Sequence, residues 1–223
     1  IVCSADFRRC FSQRFDIQIA IRFIEQSALY YAQVRGLGTL KLNSTKEYVK
    51  KYTEEFYLVD LYYRRTLEAY HELITKENPI EQTLSDAKRQ LDLEYAKMTN
   101  VLNLEWLTCV EEKGAWFTET GLKRQEDFYK NESDTSVKQV VIVCDALRYE
   151  VAKELMQELA KEKHIATIDA YQTMLPTETK YCKPALLPHH SLELNGTDMM
   201  VDGTLLTTTE QRTAHLGKYR EGA

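Results

Sequence analysis

Apolar side chains recur at helical spacing through residues 1–130 of the chain. Steps of three and four residues between them are typical of amphipathic helices, so three helices are predicted. Their apolar faces consist of Phe15, Ile17, Ile19, Ala20, Phe23 and Ile24; of Tyr48, Tyr52, Phe56, Val59, Tyr63, Leu67, Tyr70 and Ile74; and of Leu84, Ala87, Leu91, Tyr95, Met98 and Leu102. Residues 36–38, Gly-Leu-Gly, are predicted to end the first helix, and Asn78–Pro79 the second.

The start of the second helix has a signal of its own. Ser44 is followed three residues later by Glu47. In this capping pattern the hydroxyl accepts a hydrogen bond from a free backbone N–H, and the carboxylate reaches back to another. We therefore expect the second helix to begin directly after Ser44.

The hydrophobic pattern changes near residue 131. Residues Val137–Cys144 are mostly β-branched and apolar on both alternating faces, as in a strand buried within a parallel sheet. A helical pattern with Val151, Leu155 and Leu159 on one face follows, and Ile165–Tyr171 has the length of a second strand. This β-α-β order predicts a parallel sheet covered by helices.

These patterns together predict an α/β fold in two parts. The first part is a helical region over residues 1–130, and the second is a domain over residues 131–223 that opens a parallel sheet. The tail from Leu192 to Ala223 is rich in threonine and only weakly patterned.

Composition narrows the classes of function. With 29 basic and 34 acidic residues the net charge is −5, which argues against strong sequence-blind attraction to nucleic acid. The longest aliphatic run, Val140–Val143, is too short to cross a bilayer, and no secretion signal opens the chain. The five cysteines form no Cys-x-x-Cys pair, which favours a reducing cytoplasm. Because the chain starts at Ile1, we expect it to be a piece of a longer protein.

Tyrosine is abundant, and nine of the fourteen tyrosines occur by residue 95. Their helical spacing favours packing between helices with the hydroxyls at the surface. The alternative is a platform on which nucleic-acid bases stack, which needs open rings interleaved with basic residues.

Asp145 directly follows the predicted buried strand. Ligands of open α/β sheets bind at the carboxyl ends of strands, so a carboxylate there can hold a cation such as Mg, Mn or Zn. The alternative is structural, because acidic residues at this location often cap the next helix.

The second strand is followed by Met174–Lys180, Met-Leu-Pro-Thr-Glu-Thr-Lys. The proline predicts a helix that starts near Thr177 or Thr179. A helix start favours an anion such as phosphate, although each threonine can equally serve as a helix cap. The combination of a carboxylate at one strand end and a hydroxyl at the neighbouring helix start is what indicates a site.

The sequences Val140–Ala152, Met174–Lys180 and Leu186–Pro188 together resemble the PglZ-domain family of BREX bacteriophage-defence systems. That family resembles the alkaline phosphatase superfamily, whose members are metal-dependent phosphatases and phosphodiesterases. The resemblance implies the start of an alkaline-phosphatase-like parallel-sheet domain.

Residue by residue, the resemblance implies that Asp145 is a metal-binding carboxylate. It implies that Thr179 is the nucleophile and also contacts the metal, with Thr177 as the runner-up. The implied cofactors are divalent metal ions, Zn, Mn or Mg, two of them in the full-length protein. Arg148 and Lys180 are further candidates for stabilising charge. The implied partners are other BREX proteins and a phosphoester substrate, such as a nucleotide or a nucleic acid, without a membrane.

A two-metal site needs more ligands than these two residues. The candidates after Thr179 are His189, His190, His215, Asp198 and Asp202, none of which follows a clear strand. The adjacent histidines would point in different directions, and Asp202–Gly203 is typical of a turn. We therefore expect the remaining ligands to lie beyond Ala223.

Two other functions stay open at this point. The protein can be a non-catalytic scaffold of a multiprotein defence complex, with the tyrosine-rich helices as docking surfaces. It can also be another α/β module, of the response-regulator kind, in which Asp145 only caps a helix.

Overall fold

The computed structural model describes residues 15–74, 81–113, 120–134, 136–145 and 147–221. The chain divides into two compact units. The helical unit comprises Ile1–Glu119 and Arg148–His164, and the mixed unit comprises Thr120–Leu147 and Ile165–Ala223. Helices, a parallel sheet and an antiparallel sheet occur together, which confirms the predicted α/β class. The division into domains at residue 130 stays a prediction.

Helices make up the regular structure of the helical unit. They are α1 (Phe15–Gly36), α2 (Thr45–Lys51), a π-helix (Tyr52–Phe56), α3 (Tyr57–Ile74), α4 (Glu81–Lys113) and α6 (Tyr149–Lys161). The three helical stretches predicted before residue 130 are confirmed, and α1 ends at Gly36 as expected. The predicted stop at Asn78–Pro79 lies outside the described residues.

The cap of α2 forms as its sequence predicts. The Ser44 hydroxyl accepts a hydrogen bond from the Glu47 N–H at 3.2 Å. The Glu47 carboxylate reaches back to the N–H of Asn43 at 3.0 Å, one residue earlier than expected. Two backbone N–H groups at the helix start are thereby satisfied, which stabilises this end of the helix.

Two apolar clusters hold the helical unit together. One contains Ile19, Phe23, Ala69, Leu73 and Leu84, and the other contains Tyr30, Leu37, Phe56, Val59 and Leu91. These residues come mainly from the predicted faces, because residues three or four apart share one side of a helix. Ile24 is an exception and is 63% exposed. It lies five residues after Ile19, and five steps of a helix turn the side chain about 140° away.

The tyrosines pack within the protein. None of the fourteen is among the exposed residues, and the rings of Tyr63 and Tyr95 stack with centroids 3.8 Å apart. The hydroxyls of Tyr52 and Tyr95 both donate to the Asp60 carboxylate, at 2.7 and 2.8 Å. The base-stacking alternative requires open rings, so the packing interpretation is the one that the structure supports. The hydroxyls are not all at the surface as expected, since that of Tyr30 is buried.

The described residues of the mixed unit form two small sheets and three helices. Its elements are β1 (Lys123–Arg124), a 3-10 turn (Gln125–Asp127), α5 (Phe128–Glu132), β2 (Tyr171–Gln172), α7 (Thr179–Ala185), β3 (Leu192–Asn195), β4 (Asp198–Val201), β5 (Thr204–Leu205) and α8 (Thr209–Glu221). Strand β1 pairs in parallel with β2, and β3, β4 and β5 form an antiparallel meander. Asp202 and Gly203 make the turn between β4 and β5 with φ of 49° and 72°, which confirms the predicted turn.

The prediction of a buried strand over Val137–Cys144 is wrong. These residues form no regular strand, and Val140, Val141 and Ile142 are 78%, 63% and 79% exposed. A strand that is apolar on both faces becomes buried only when other strands flank it and helices cover it. Among the described residues no strand pairs with this segment, and helix α6 belongs to the helical unit.

The second predicted strand is largely irregular as well. Only Tyr171 of the span 165–171 is in a strand, and Ile165 is fully exposed. Parallel pairing does occur at this point of the chain, but the partner strand is Lys123–Arg124 rather than 137–144. The predicted β-α-β unit is therefore not formed as expected. No helix in the described part of the chain has both the length and the apolar character needed to span a bilayer.

Candidate functional site

Asp145 and Thr179 lie beside each other in the mixed unit. The Thr179 hydroxyl donates towards the Asp145 carboxylate, with Oγ1 at 3.4 Å from Oδ2 and 3.5 Å from Oδ1. Both are weak hydrogen bonds by their length, and the two residues are 34 positions apart in the chain. The structure thus brings together the carboxylate and the hydroxyl that the two motifs contribute.

Thr179 is the first residue of α7. The N-cap position is held by Glu178, whose backbone is extended and whose carbonyl accepts hydrogen bonds from the N–H groups of Tyr181 and Cys182. The Thr179 hydroxyl is therefore not used as a helix cap and is directed to Asp145 instead. Thr177 is exposed, and its side chain has no hydrogen bond within the described residues.

Asp145 does not cap the helix that follows it. Helix α6 begins at Tyr149, and the residue at its N-cap position is Arg148, without a side-chain hydrogen bond to the helix end. The Asp145 side chain is 65% exposed, so its carboxylate is open to solvent. The capping alternative for Asp145 is therefore not what the structure shows.

One cation faces the carboxylate within the mixed unit. The Lys183 ammonium is 3.9 Å from Asp145 Oδ2, and Lys183 is one helical turn after Thr179 on α7. Lysine 183 was not among the sequence candidates. Its spacing of four residues from Thr179 is the signal that could have found it.

The two cations expected from the sequence have other partners. Lys180 pairs with Glu178 at 3.5 Å and lies over the Tyr181 ring, with the ammonium 4.6 Å from the ring centre. Arg148 pairs with Glu150, with Nη2 at 2.5 Å from Oε1.

Asp202 is occupied by structural hydrogen bonds. Its carboxylate accepts the N–H groups of His190 and Ser191, both at 2.8 Å, and the Tyr219 hydroxyl at 2.5 Å. Burial alone would raise the pKa of Asp202, but the hydrogen bonds from Tyr219, Ser191 and His190 outweigh it and lower the pKa to about 2. The Asp202 carboxylate therefore stabilises the hairpin turn through these hydrogen bonds.

Two of the histidines likewise contact backbone carbonyls. His215 is buried, and its Nε2 is 2.6 Å from the Pro188 carbonyl oxygen. His189 Nδ1 is 2.7 Å from the Leu187 carbonyl oxygen. Within the described ranges, no three His, Cys, Asp or Glu side chains are grouped so that they could hold a metal ion.

Asp145 and Thr179 are the predicted ligands that lie close together, so their side chains show whether a divalent cation fits this site. The Asp145 carboxylate and the Thr179 hydroxyl offer oxygen donors, the ligand type that Mg and Mn prefer and that Zn accepts. They converge closely enough to share one ion, since their oxygens are 3.4 Å apart. The pair fits part of a coordination shell, and any further ligands have to come from elsewhere.

Comparison with known proteins supports the motif interpretation. Residues 126–223 match the family model described as the BREX system PglZ alkaline phosphatase-like domain. The chain is 30% identical over 209 residues to "Alkaline phosphatase-like protein PglZ" of Bacillus cereus (strain H3081.97), covering 87% of this chain and 24% of that protein. It is 31% identical over 183 residues to "Alkaline phosphatase-like protein BrxZ" of Escherichia coli O9:H4 (strain HS), covering 77% of this chain and 21% of that protein.

The chain spans less than a quarter of the length of these two relatives. No solved structure matches it. The family match covers the mixed unit from residue 126 onward and includes both motifs, and the two relatives extend the similarity over most of the chain. Residues 126–223 therefore belong to the PglZ alkaline phosphatase-like domain family of BREX systems, as the motifs around Asp145 and Thr179 predict.

Proposed function

We propose that the protein containing this chain hydrolyses phosphoesters in BREX bacteriophage defence, with Thr179 as its nucleophile and Asp145 as the carboxylate beside it. The observation that carries the proposal is the contact between Thr179 Oγ1 and Asp145 at 3.4 Å. The family match and the names of the two relatives support the reaction class.

The chemistry begins with the threonine hydroxyl. A neutral hydroxyl is a poor nucleophile and must lose its proton as it attacks. In the observed geometry the proton is directed at the Asp145 carboxylate, which can accept it. The Thr179 oxygen forms a bond to phosphorus while the bond from phosphorus to the leaving oxygen breaks, and the leaving oxygen takes up a proton and departs as an alcohol. Water then hydrolyses the phosphoester of Thr179, which restores the hydroxyl and releases phosphate from a monoester substrate or a phosphomonoester from a diester substrate.

Divalent metal ions are part of the proposal. The superfamily resemblance implies two ions, Zn, Mn or Mg, and Asp145 and Thr179 are the residues of this chain that would hold one of them. Such an ion, when bound, favours loss of the hydroxyl proton and neutralises charge on the phosphoryl oxygens. The proposed substrates are a phosphomonoester, a nucleotide or a nucleic-acid phosphodiester. Other BREX proteins are the proposed partners, and the cytoplasm is the proposed location.

The test uses the whole protein with chromogenic phosphomonoester and phosphodiester substrates, with and without chelator. Thr179→Ala is expected to lower turnover at least about 1,000-fold, because it removes the attacking atom. Thr179→Ser keeps a hydroxyl and should retain part of the activity. Thr177→Ala is the matched control, two residues away on exposed backbone. Unchanged turnover in Thr179→Ala would refute the role of Thr179, and loss of activity in Thr177→Ala alone would transfer the role to Thr177.

A non-catalytic scaffold is the second candidate, and one observation favours it. The exposed apolar side chains of residues 140–143 form a surface that a partner protein could cover. The tyrosine-rich helices are less suited to docking than expected, because no tyrosine is exposed. If the protein is only a scaffold, Asp145→Ala and Thr179→Ala will leave phage resistance unchanged, whereas Ile142→Glu will abolish it.

A further inference from the structure

Lys183 is placed on the same side of α7 as Thr179. The two residues are four positions apart, and residues at this spacing are neighbours on a helix surface. The Lys183 ammonium is 3.9 Å from Asp145 Oδ2, and the Thr179 hydroxyl is 3.4 Å from the same oxygen. The carboxylate therefore has the nucleophile and a cation as its two neighbours.

The Lys183 ammonium is not committed to another group. It has three N–H donors, yet it makes no hydrogen bond within the part of the chain that the structure describes. Its distance of 3.9 Å from Asp145 is that of a loose ion pair rather than a hydrogen bond. The side chain is 38% exposed, so a ligand can reach it from solvent.

Lys180 on the same helix is also open to solvent, but its ammonium has other partners. Its ammonium pairs with Glu178 at 3.5 Å and covers the Tyr181 ring. Its side chain is 51% exposed. The helix thus carries one lysine that faces the Asp145–Thr179 pair and one that is occupied at the helix start.

We propose that Lys183 binds the phosphoryl oxygens of the substrate at the Asp145–Thr179 pair. This inference rests on the proposed function, because it takes Thr179 as the attacking group. A phosphoester is anionic, and the Asp145 carboxylate would repel it if no cation were adjacent. A lysine ammonium is a compact point charge that suits the non-bridging oxygens of a phosphate. The loose pairing with Asp145 leaves its donors available for those oxygens.

The proposal is tested in the whole protein with Lys183→Gln, Lys183→Arg and the control Lys180→Gln. The measurements are kcat, KM and competitive inhibition by inorganic phosphate. Lys183→Gln should lower kcat/KM and weaken phosphate inhibition about 10- to 100-fold, the usual loss for one charge-assisted hydrogen bond. Lys183→Arg keeps the charge and should recover most of that loss. Lys180→Gln should stay within about 3-fold of the unaltered protein.

A second measurement needs no variant and so does not depend on folding of the altered chains. In the unaltered protein, inorganic phosphate should protect Lys183 from acetylation by acetic anhydride, as read by mass spectrometry, and should leave Lys180 reactive. Equal behaviour of Lys183→Gln and Lys180→Gln, in a protein that Thr179→Ala inactivates, would overturn the role of Lys183 and leave the proposed function standing. Unchanged turnover in Thr179→Ala would remove both.

Discussion

Arg148→Met is expected to destabilise the helical unit, although Arg148 belongs to the motif that also contains Asp145. The Glu150 side chain is fully buried, with 0% exposed, and Arg148 Nη2 is 2.5 Å from its Oε1. Within the described residues neither Glu150 oxygen has a partner in hydrogen-bond geometry, so the contact is an ion pair. Removing the arginine leaves a buried carboxylate with its charge poorly compensated.

The magnitude follows from what remains around Glu150. Breaking a buried ion pair by removing one partner costs about 3–5 kcal/mol. Arg148 itself is 53% exposed, and Arg64 stays in place with Nε at 3.7 Å from the same glutamate oxygen, so the expected cost is lower, about 2 kcal/mol. For a chain of this size that corresponds to a fall in Tm of about 4–8 °C.

The chain offers a matched control at Arg124. Arg124 Nη2 is also 2.5 Å from the Oε1 of a glutamate two residues later, Glu126, but that glutamate is 27% exposed. Because water can solvate the remaining carboxylate, Arg124→Met should cost about 0–1 kcal/mol. Urea unfolding followed by circular dichroism, with hydrogen exchange of the α6 amides as a local probe, measures both variants.

A double variant separates the loss of charge balance from the loss of packing. Replacing both partners, as Arg148→Met with Glu150→Leu, should return most of the lost stability, because an apolar pair has no charge to desolvate. Equal losses in Arg148→Met and Arg124→Met would refute the reasoning, since burial of the glutamate is what distinguishes the two sites. So would a double variant that is less stable than Arg148→Met alone.

Two further predictions concern pH. Because the pKa of Asp202 is lowered to about 2, its carboxylate stabilises the fold above the unfolded pKa near 4, and this contribution is lost as pH falls from about 4 through 2. Asp202→Asn, which tolerates the φ of 49°, should make stability depend less on pH in that window. An unchanged acid unfolding curve in this variant would contradict the role of Asp202. Burial raises the pKa of Tyr63 to about 12, and the hydrogen bond to Asp92 and the charge of that carboxylate act in the same direction. The contribution of the neutral Tyr63 side chain to stability is therefore present below about pH 10 and is lost as pH rises through 12. Tyrosinate absorbance should rise and the urea midpoint should fall over this pH range, and Tyr63→Phe should lose less stability at alkaline pH. An identical fall of the urea midpoint with pH in that variant would contradict the role of Tyr63.

Helix positions and turns were predictable because each depends on residues close together in the chain. The three helical faces, the Ser44 cap and the Asp202–Gly203 turn need only local spacing and side-chain type. The antiparallel meander was missed, although Asn195–Gly196 and Asp202–Gly203 are strong hairpin signals seven residues apart. Weak alternation in its short strands hid it within the threonine-rich tail.

The strand predictions failed for a different reason. Residues 137–144 have every local feature of a buried strand, yet they are exposed in the structure. Burial and pairing depend on which other strands lie beside a segment, and local pattern carries no information about that. In the same way Arg148 and Lys180 were plausible site residues by proximity in sequence, and only their carboxylate partners, Glu150 and Glu178, show how they are used.

The sequence by itself determined the helical stretches, the mixed fold class and the family of residues 126–223. It also named Asp145 and Thr179, because motif residues are recognisable without coordinates. Only the tertiary structure decided that these two residues meet, that Lys183 faces them and that the Val137–Cys144 segment lies open. The physical reason is that helix periodicity and turns arise between near neighbours, whereas a contact across 34 residues depends on how the whole unit packs.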